Sequence, residues 1–223
     1  MYSQTKSTGI EKFMAQSEAK RDRIVNAAMK EFRYGYKRAS TDAIVKDAGI
    51  SKGLLFHYFS TKDNLYEFLV RFAMDTMQND YFDMVNLGQN DIIESIWQQA
   101  LLKRDISDKY PYIYSFLTTV SISTKEDGSL DPDISNHMSA LYVQKNREML
   151  EDAFKCCDTT LFKEYVDPQK AINIIIWSVN GLFDSTENTV FEESNIDGES
   201  YERFLDELRS YLDIFRTTFY KSE

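Results

Sequence analysis

Cysteine, proline, glycine and histidine are all scarce in this 223-residue chain, at two, three, eight and two residues. The cysteines are adjacent, Cys156 and Cys157, so they offer no disulfide framework and point to a reducing compartment. With so few prolines and glycines, and little strand-like alternation, the chain reads as nearly all helix. No stretch approaches the roughly 18 apolar residues that a membrane-spanning helix needs, and the N-terminal residues lack the apolar centre of a secretory signal. The expectation is a cytoplasmic protein without a membrane partner. The histidines, His57 and His137, have no Glu three positions earlier, as a carboxylate-metal bundle requires. There is no Cys/His zinc spacing, no phosphate-cradling glycine loop and no nucleophile elbow. An enzyme, a metal and a cofactor are therefore not expected, and a helical-bundle enzyme is the remote alternative.

What the chain does have is a division of charge. The formal net charge is −10, yet residues 1–62 carry 12 Lys and Arg against six Asp and Glu, and the remainder carries 14 against 30. A basic head on an acidic body suits a head that meets a polyanion.

The head also has a readable pattern. Residues 1–17 are polar and are expected to form a flexible arm. From Ser17, Ile24, Ala27, Ala28 and Phe32 follow helical spacing, and Gly35 stops the run. Ser40 or Thr41 can cap a second helix, in which Ala43, Ile44 and Ala48 face inward and which Gly49 ends. Ser51 can cap a third helix reaching Phe59. A short helix, a tight turn and another short helix make a helix-turn-helix. The last of these, in GISKGLLFHYF (residues 49–59), buries Leu55, Phe56 and Phe59 and presents its other side to a DNA major groove, N-terminus first. Lys52 lies at that end, and Gly53 removes a side chain where backbone and duplex approach. Thr41, Ser51, His57 and Tyr58 offer polar tips to phosphate, and Lys62 adds a cation at the next helix start. Leu54 lies between the two faces and is grouped with the DNA-facing residues.

Residues 23–65 resemble the DNA-binding domain of the tetracycline-repressor (TetR-type) family of bacterial transcription regulators. The resemblance is carried by Ile24, Ala28 and Phe32, by Gly35-Tyr36, by Thr41, by Ala48-Gly49-Ile50-Ser51-Lys52-Gly53, and by Phe59, Lys62 and Leu65. It implies that Thr41, Lys52, Gly53, His57, Tyr58 and Lys62 take the family's DNA-facing positions. Many members carry Tyr where this chain has Phe56, so no hydroxyl contact is expected there.

Beyond Lys62 the helical pattern continues: a long helix to about Val85, helices over roughly 90–107, 110–122 and 133–155, one opened by Asp167 and Pro168, and a last one over about 199–220. The expected division is an arm (1–17), a helix-turn-helix domain (18–65) and a helical ligand-binding and dimerisation domain (66–223). The resemblance implies a homodimer on double-stranded operator DNA, probed by a small-molecule effector of unidentified chemistry. Its pocket candidates are Tyr81, Phe82, Trp97, Tyr112, Phe116, Tyr142 and Trp177. Its dimer-interface candidates are Ile175, Gly181, Leu182, Phe204, Leu208, Tyr211 and Phe215. The alternative is a DNA-binding or adaptor protein whose aromatic residues fill a closed core and hold no ligand.

Overall fold

The computed structural model describes residues 2–85, 90–126, 155–190 and 198–221, and the side chains of 8–85, 90–122, 155–183 and 201–221. Nine helices are described: α1 (Tyr2–Met14), α2 (Glu18–Phe32), α3 (Thr41–Ala48), α4 (Lys52–Phe59), α5 (Lys62–Thr76), α6 (Ile92–Lys109), α7 (Ile113–Glu126), α8 (Pro168–Val190) and α9 (Gly198–Phe219). A π-helical turn, Met77–Phe82, follows α5, and a 3-10 turn spans Thr159–Leu161. The fold is all-α. No strand is formed among the described residues, and Phe162 and Tyr220 share one isolated antiparallel bridge. The expected helix over 133–155, with Tyr142, lies outside the described residues.

Two expectations need correction. The polar N-terminus is a helix rather than a flexible arm, and Phe13 near its end is only 1% exposed. The helix from Lys62 does not run unbroken to Val85, because its last turns widen at Met77–Phe82. Residues four apart drift by about 40° around an α-helix. A wider turn takes up that drift, and Ala73, Met77 and Tyr81 are all buried.

The chain packs as two compact units, divided elsewhere than after residue 65. The first comprises residues up to Gln78 together with the segment from Lys109 through α7. Its core joins Phe13, Ile24, Ala28, Met29, Phe32, Ile44, Leu55, Phe59, Leu65, Tyr66, Leu69 and Phe116, all essentially without solvent contact. Tyr66 lies between Phe32 and Phe116, with ring centres 5.0 and 5.9 Å away. Those contacts tie α5 to both α2 and α7. The division therefore falls beyond α5: Leu65, Tyr66 and Leu69 are core residues of the helix-turn-helix unit.

The second unit holds residues 79–108 and the chain from 141 onward, built in its described part from α6, α8 and α9. Asp167 accepts the N–H groups of Gln169 and Lys170 at 3.0 and 3.3 Å, capping α8 at its Pro168 start. Both α8 and α9 bury one face inside the chain: Ala171, Ile172, Ile175, Val179 and Leu182 on α8, and Phe204, Leu205, Leu208, Leu212 and Phe215 on α9. Five of the interface candidates, Ile175, Leu182, Phe204, Leu208 and Phe215, are thus core residues of the subunit. Gly181 and Tyr211 remain exposed. Trp177, expected in a pocket, is 69% exposed and shares an outward apolar face with Ile174, while Ile214 joins Tyr211 on the outside of α9.

Candidate nucleic-acid interface

Local hydrogen bonds set the helix-turn-helix. Ser40 caps α3 by accepting the Ala43 N–H at 3.4 Å, and Ser51 caps α4 by accepting the Leu54 N–H at 3.2 Å. Thr41 is left as the first helical residue, half-buried. Gly49 ends α3 at φ +63°, a left-handed conformation that a glycine adopts without strain. Arg23 Nε donates to the Ala48 carbonyl at 2.8 Å, so α2 also holds the end of α3.

The eight residues of α4 then divide cleanly. Leu55, Tyr58 and Phe59 are buried, while Lys52, Gly53 and His57 are exposed together with the cap Ser51. Leu54 and Phe56 are intermediate. A Cβ added to Gly53 would meet open space, so the chain's own packing does not demand glycine there. Lys52 Nζ lies 2.9 Å from Asp42 Oδ1, both side chains largely exposed. The cation at the head of α4 therefore has a carboxylate neighbour from α3.

Two of the expected DNA-facing side chains are turned inward. Tyr58 sits three residues after Leu55 and next to Phe59, on the inward side of the helix. Its ring is buried, and its hydroxyl accepts from Lys20 Nζ at 3.3 Å. Lys62 Nζ donates to the Tyr36 carbonyl at 2.6 Å and stands 4.6 Å from the Tyr36 ring centre. That lysine pins the start of α5 to the segment before α3. The Tyr36 hydroxyl donates to the Asp63 carboxylate beside it. Burial, reinforced by that carboxylate, pushes the Tyr36 phenol up to about 12.

The same segment supplies cations that the motif reading passed over. Lys37 and Arg38 are both exposed, separated from the Ser40 cap by the buried Ala39. A basic pair one residue short of a helix cap was the available signal. Thr41, Ser51, Lys52, Gly53 and His57 with Arg38 and Lys37 make a polar, cationic surface around α3 and α4. Among the described residues, no group of three His, Cys, Asp or Glu side chains is placed to hold a metal ion, and no helix is long and apolar enough to cross a membrane.

Comparison with known proteins agrees with this architecture. The family model for bacterial regulatory proteins of the tetR family matches residues 24–69. The chain is 24% identical to the biofilm operon icaADBC HTH-type negative transcriptional regulator IcaR of Staphylococcus epidermidis, over 87% of this chain and 98% of that protein. Among solved structures, a TetR family transcriptional regulator from Chloroflexus aurantiacus shares the fold with a TM-score of 0.57 at 16% identity, covering 95% of this chain and 98% of its own. A gamma-butyrolactone receptor, described as ArpA-like, does so with a TM-score of 0.51 at 18% identity, covering 88% and 97%. Motif, helix-turn-helix geometry and all-helical fold agree: residues 24–69 match the DNA-binding domain of the tetR family of bacterial regulatory proteins, and the chain as a whole is similar to transcription regulators of that family.

Proposed function

We propose that the protein is a homodimeric, ligand-responsive repressor that reads a palindromic operator with α4 of each subunit. The observation that carries the reading is the two-sidedness of α4. Leu55, Tyr58 and Phe59 are buried, Ser51, Lys52 and Gly53 open to solvent at the end a reading helix leads with, and His57 is exposed one turn further along. Lys37, Arg38 and Lys52 supply phosphate attraction. Thr41 flanks them at the start of α3. The repressing sense is supported by the Staphylococcus relative, named a negative regulator.

Dimerisation is supported by the outward face of α8 and α9. Ile174, Trp177, Tyr211 and Ile214 are large apolar side chains left exposed, and Gly181 beside them has open space where a Cβ would stand. Such a face suits a helix from a second subunit. Ligand response is supported by the named receptor of the same fold and by aromatic residues edged with polar groups in the second unit. Tyr81 donates to Gln99 at 3.2 Å, Arg209 lies 4.3 Å from the Trp97 ring centre, and Phe82 stacks edgewise on Tyr81. Tyr112 and Phe116 belong to the first unit, where Phe116 is wholly buried against Tyr66, so Tyr81, Phe82 and Trp97 are the stronger pocket candidates. Operator grooves on one face recur about every 34–36 Å. An effector favouring another spacing of the two α4 helices by about 1–3 kcal/mol changes operator affinity roughly 5- to 150-fold.

The test begins with a duplex selected by the wild-type protein from random DNA. Gly53→Leu fills space that is open in the free protein and removes a helix-weakening glycine, worth about 1 kcal/mol in helix propensity. The variant is expected to melt no lower than wild type and to lose the selected duplex. Normal binding by Gly53→Leu would remove α4 from the groove.

A further inference from the structure

We propose that Gly9 is a positioning residue for DNA reading: α1 is a brace that fixes the far end of α4 through a glycine contact, so sequence discrimination depends on a segment outside the helix-turn-helix. The inference rests on the reading of α4 given above. An ideal Cβ at Gly9 would stand 2.3 Å from the Tyr58 carbonyl oxygen and 3.0 Å from that of His57. Both are backbone atoms in the last turn of α4. Neither has a flexible end that can swing aside, so any side chain at position 9 drives α1 and α4 apart.

One turn further along α1, Phe13 completes the brace. Its ring centre lies 5.5 Å from Tyr58, 4.9 Å from Phe59 and 5.3 Å from Phe68. It therefore packs at once on the end of α4 and on α5. Lys20 Nζ then joins Gln16 Oε1 and the Tyr58 hydroxyl at 3.0 and 3.3 Å, and Arg21 donates to the Met14 carbonyl at 2.7 Å. The turn between α1 and α2 is thereby tied to the same tyrosine.

The need for a brace follows from α4 itself. It has eight residues, one of them Gly53, and a helix so short does not hold by its own propensity. Its N-terminal end is fixed by the Ser51 cap and the turn from α3. Its C-terminal end leaves carbonyls beyond the helical ladder, and Gly9 lies against two of them. A reading helix must hold its side chains in register with base edges, whereas phosphate attraction tolerates small displacement. Loosening α1 is therefore expected to erode discrimination before it erodes affinity for DNA in general.

Gly9→Ala tests this. Alanine is the better helix former, so it strengthens α1 while breaking the contact. The measurements are affinity for the selected duplex and for a scrambled duplex of equal length, their salt dependence, and helix content. The expected result is a fall in the selected-to-scrambled ratio of about 5- to 150-fold, the range for one lost base-pair reading. Scrambled-DNA affinity and its salt slope should stay at the wild-type values. An unchanged ratio overturns the proposal. So does an equal loss on both duplexes with helix content intact, which would make α1 part of the phosphate-binding surface. Should Gly9→Ala lose helix content, Phe13→Leu keeps the core filled and is read in the same way. Failure of the wild type to select any duplex would instead overturn the assignment of α4.

Discussion

Replacing Trp177 with Arg is expected to separate the proposed dimer while leaving each chain folded. Trp177 is 69% exposed on α8, between Ile174 and Gly181 on the same outward face. A tryptophan brings up to about 250 Å² of contact area. Its exposed 69% is then roughly 170 Å², equivalent to about 4 kcal/mol of burial per chain at about 25 cal/mol per Å². A two-fold interface contains the residue twice, and area converts to affinity incompletely. Even a third of the doubled figure, on the order of 3 kcal/mol, weakens association about 100-fold. Leu208→Asp is the contrast, because Leu208 has no solvent contact inside its own subunit. A carboxylate there has no water and no designed partner, so that variant should unfold rather than dissociate. Sedimentation equilibrium over micromolar to nanomolar protein, with thermal melting of the same samples, separates the two outcomes. A Trp177→Arg protein that remains as dimeric as wild type throughout would refute the assignment of this face.

The Lys52–Asp42 pair makes a second prediction. Lys52→Ala should reduce the salt slope of DNA binding by about 0.9 for the lost phosphate contact, whereas Asp42→Asn should tighten binding by removing a like charge and releasing Lys52. Equal affinity in Asp42→Asn and wild type, measured at low salt, would show that the pair does not compete with DNA. A third prediction concerns alkaline pH. Tyr36 and Tyr110 are both pushed up to about 12, by burial first and then by Asp63 and Asp22 respectively. An unfolded tyrosine ionises near pH 10, so the unfolded chain releases these protons first as pH rises. Their contribution to stability is full below about pH 10 and declines between about 10 and 12. Ultraviolet titration of the folded protein should show both ionising late, and Asp63→Asn should bring Tyr36 part of the way down.

Much of the helix-turn-helix was legible because its signals are local. Ser40, Gly49, Ser51 and Asp167 each act on backbone groups within a few residues, so sequence spacing alone places them. The brace was not legible. Gly9 and Phe13 meet partners in α4 and α5 some 45 to 55 positions later, and a mostly polar segment whose aromatic residues are Tyr2 and Phe13 gives no periodic signal. The direction of a long side chain is equally silent: Lys62 reads as a surface cation, yet its ammonium turns back onto Tyr36. On α8, apolar residues occupy nearly every side, so periodicity does not tell the face that packs within the subunit from the face that is left outside. That distinction comes from α6 and α9, which claim Ile175 and release Trp177.

Asp91 carries a consequence for the order in which the polypeptide is completed during synthesis. Its carboxylate accepts the Ile93 N–H at 2.9 Å at the head of α6, and also the Tyr220 hydroxyl and the Arg216 guanidinium, each at 2.9 Å. Lys221 N–H donates to the Leu161 carbonyl at 2.9 Å, closing the pairing of Phe162 with Tyr220. The second unit therefore ties the head of α6 to the end of α9, across a sequence separation of 129. Contacts so remote form only after α9 and Lys221 have left the ribosome, whereas the described elements of the first unit are all present once α7 has emerged. The helix-turn-helix unit is thus assembled while the second unit is still being made, and a chain cut before Arg216 would keep the first and lose the closure of the second.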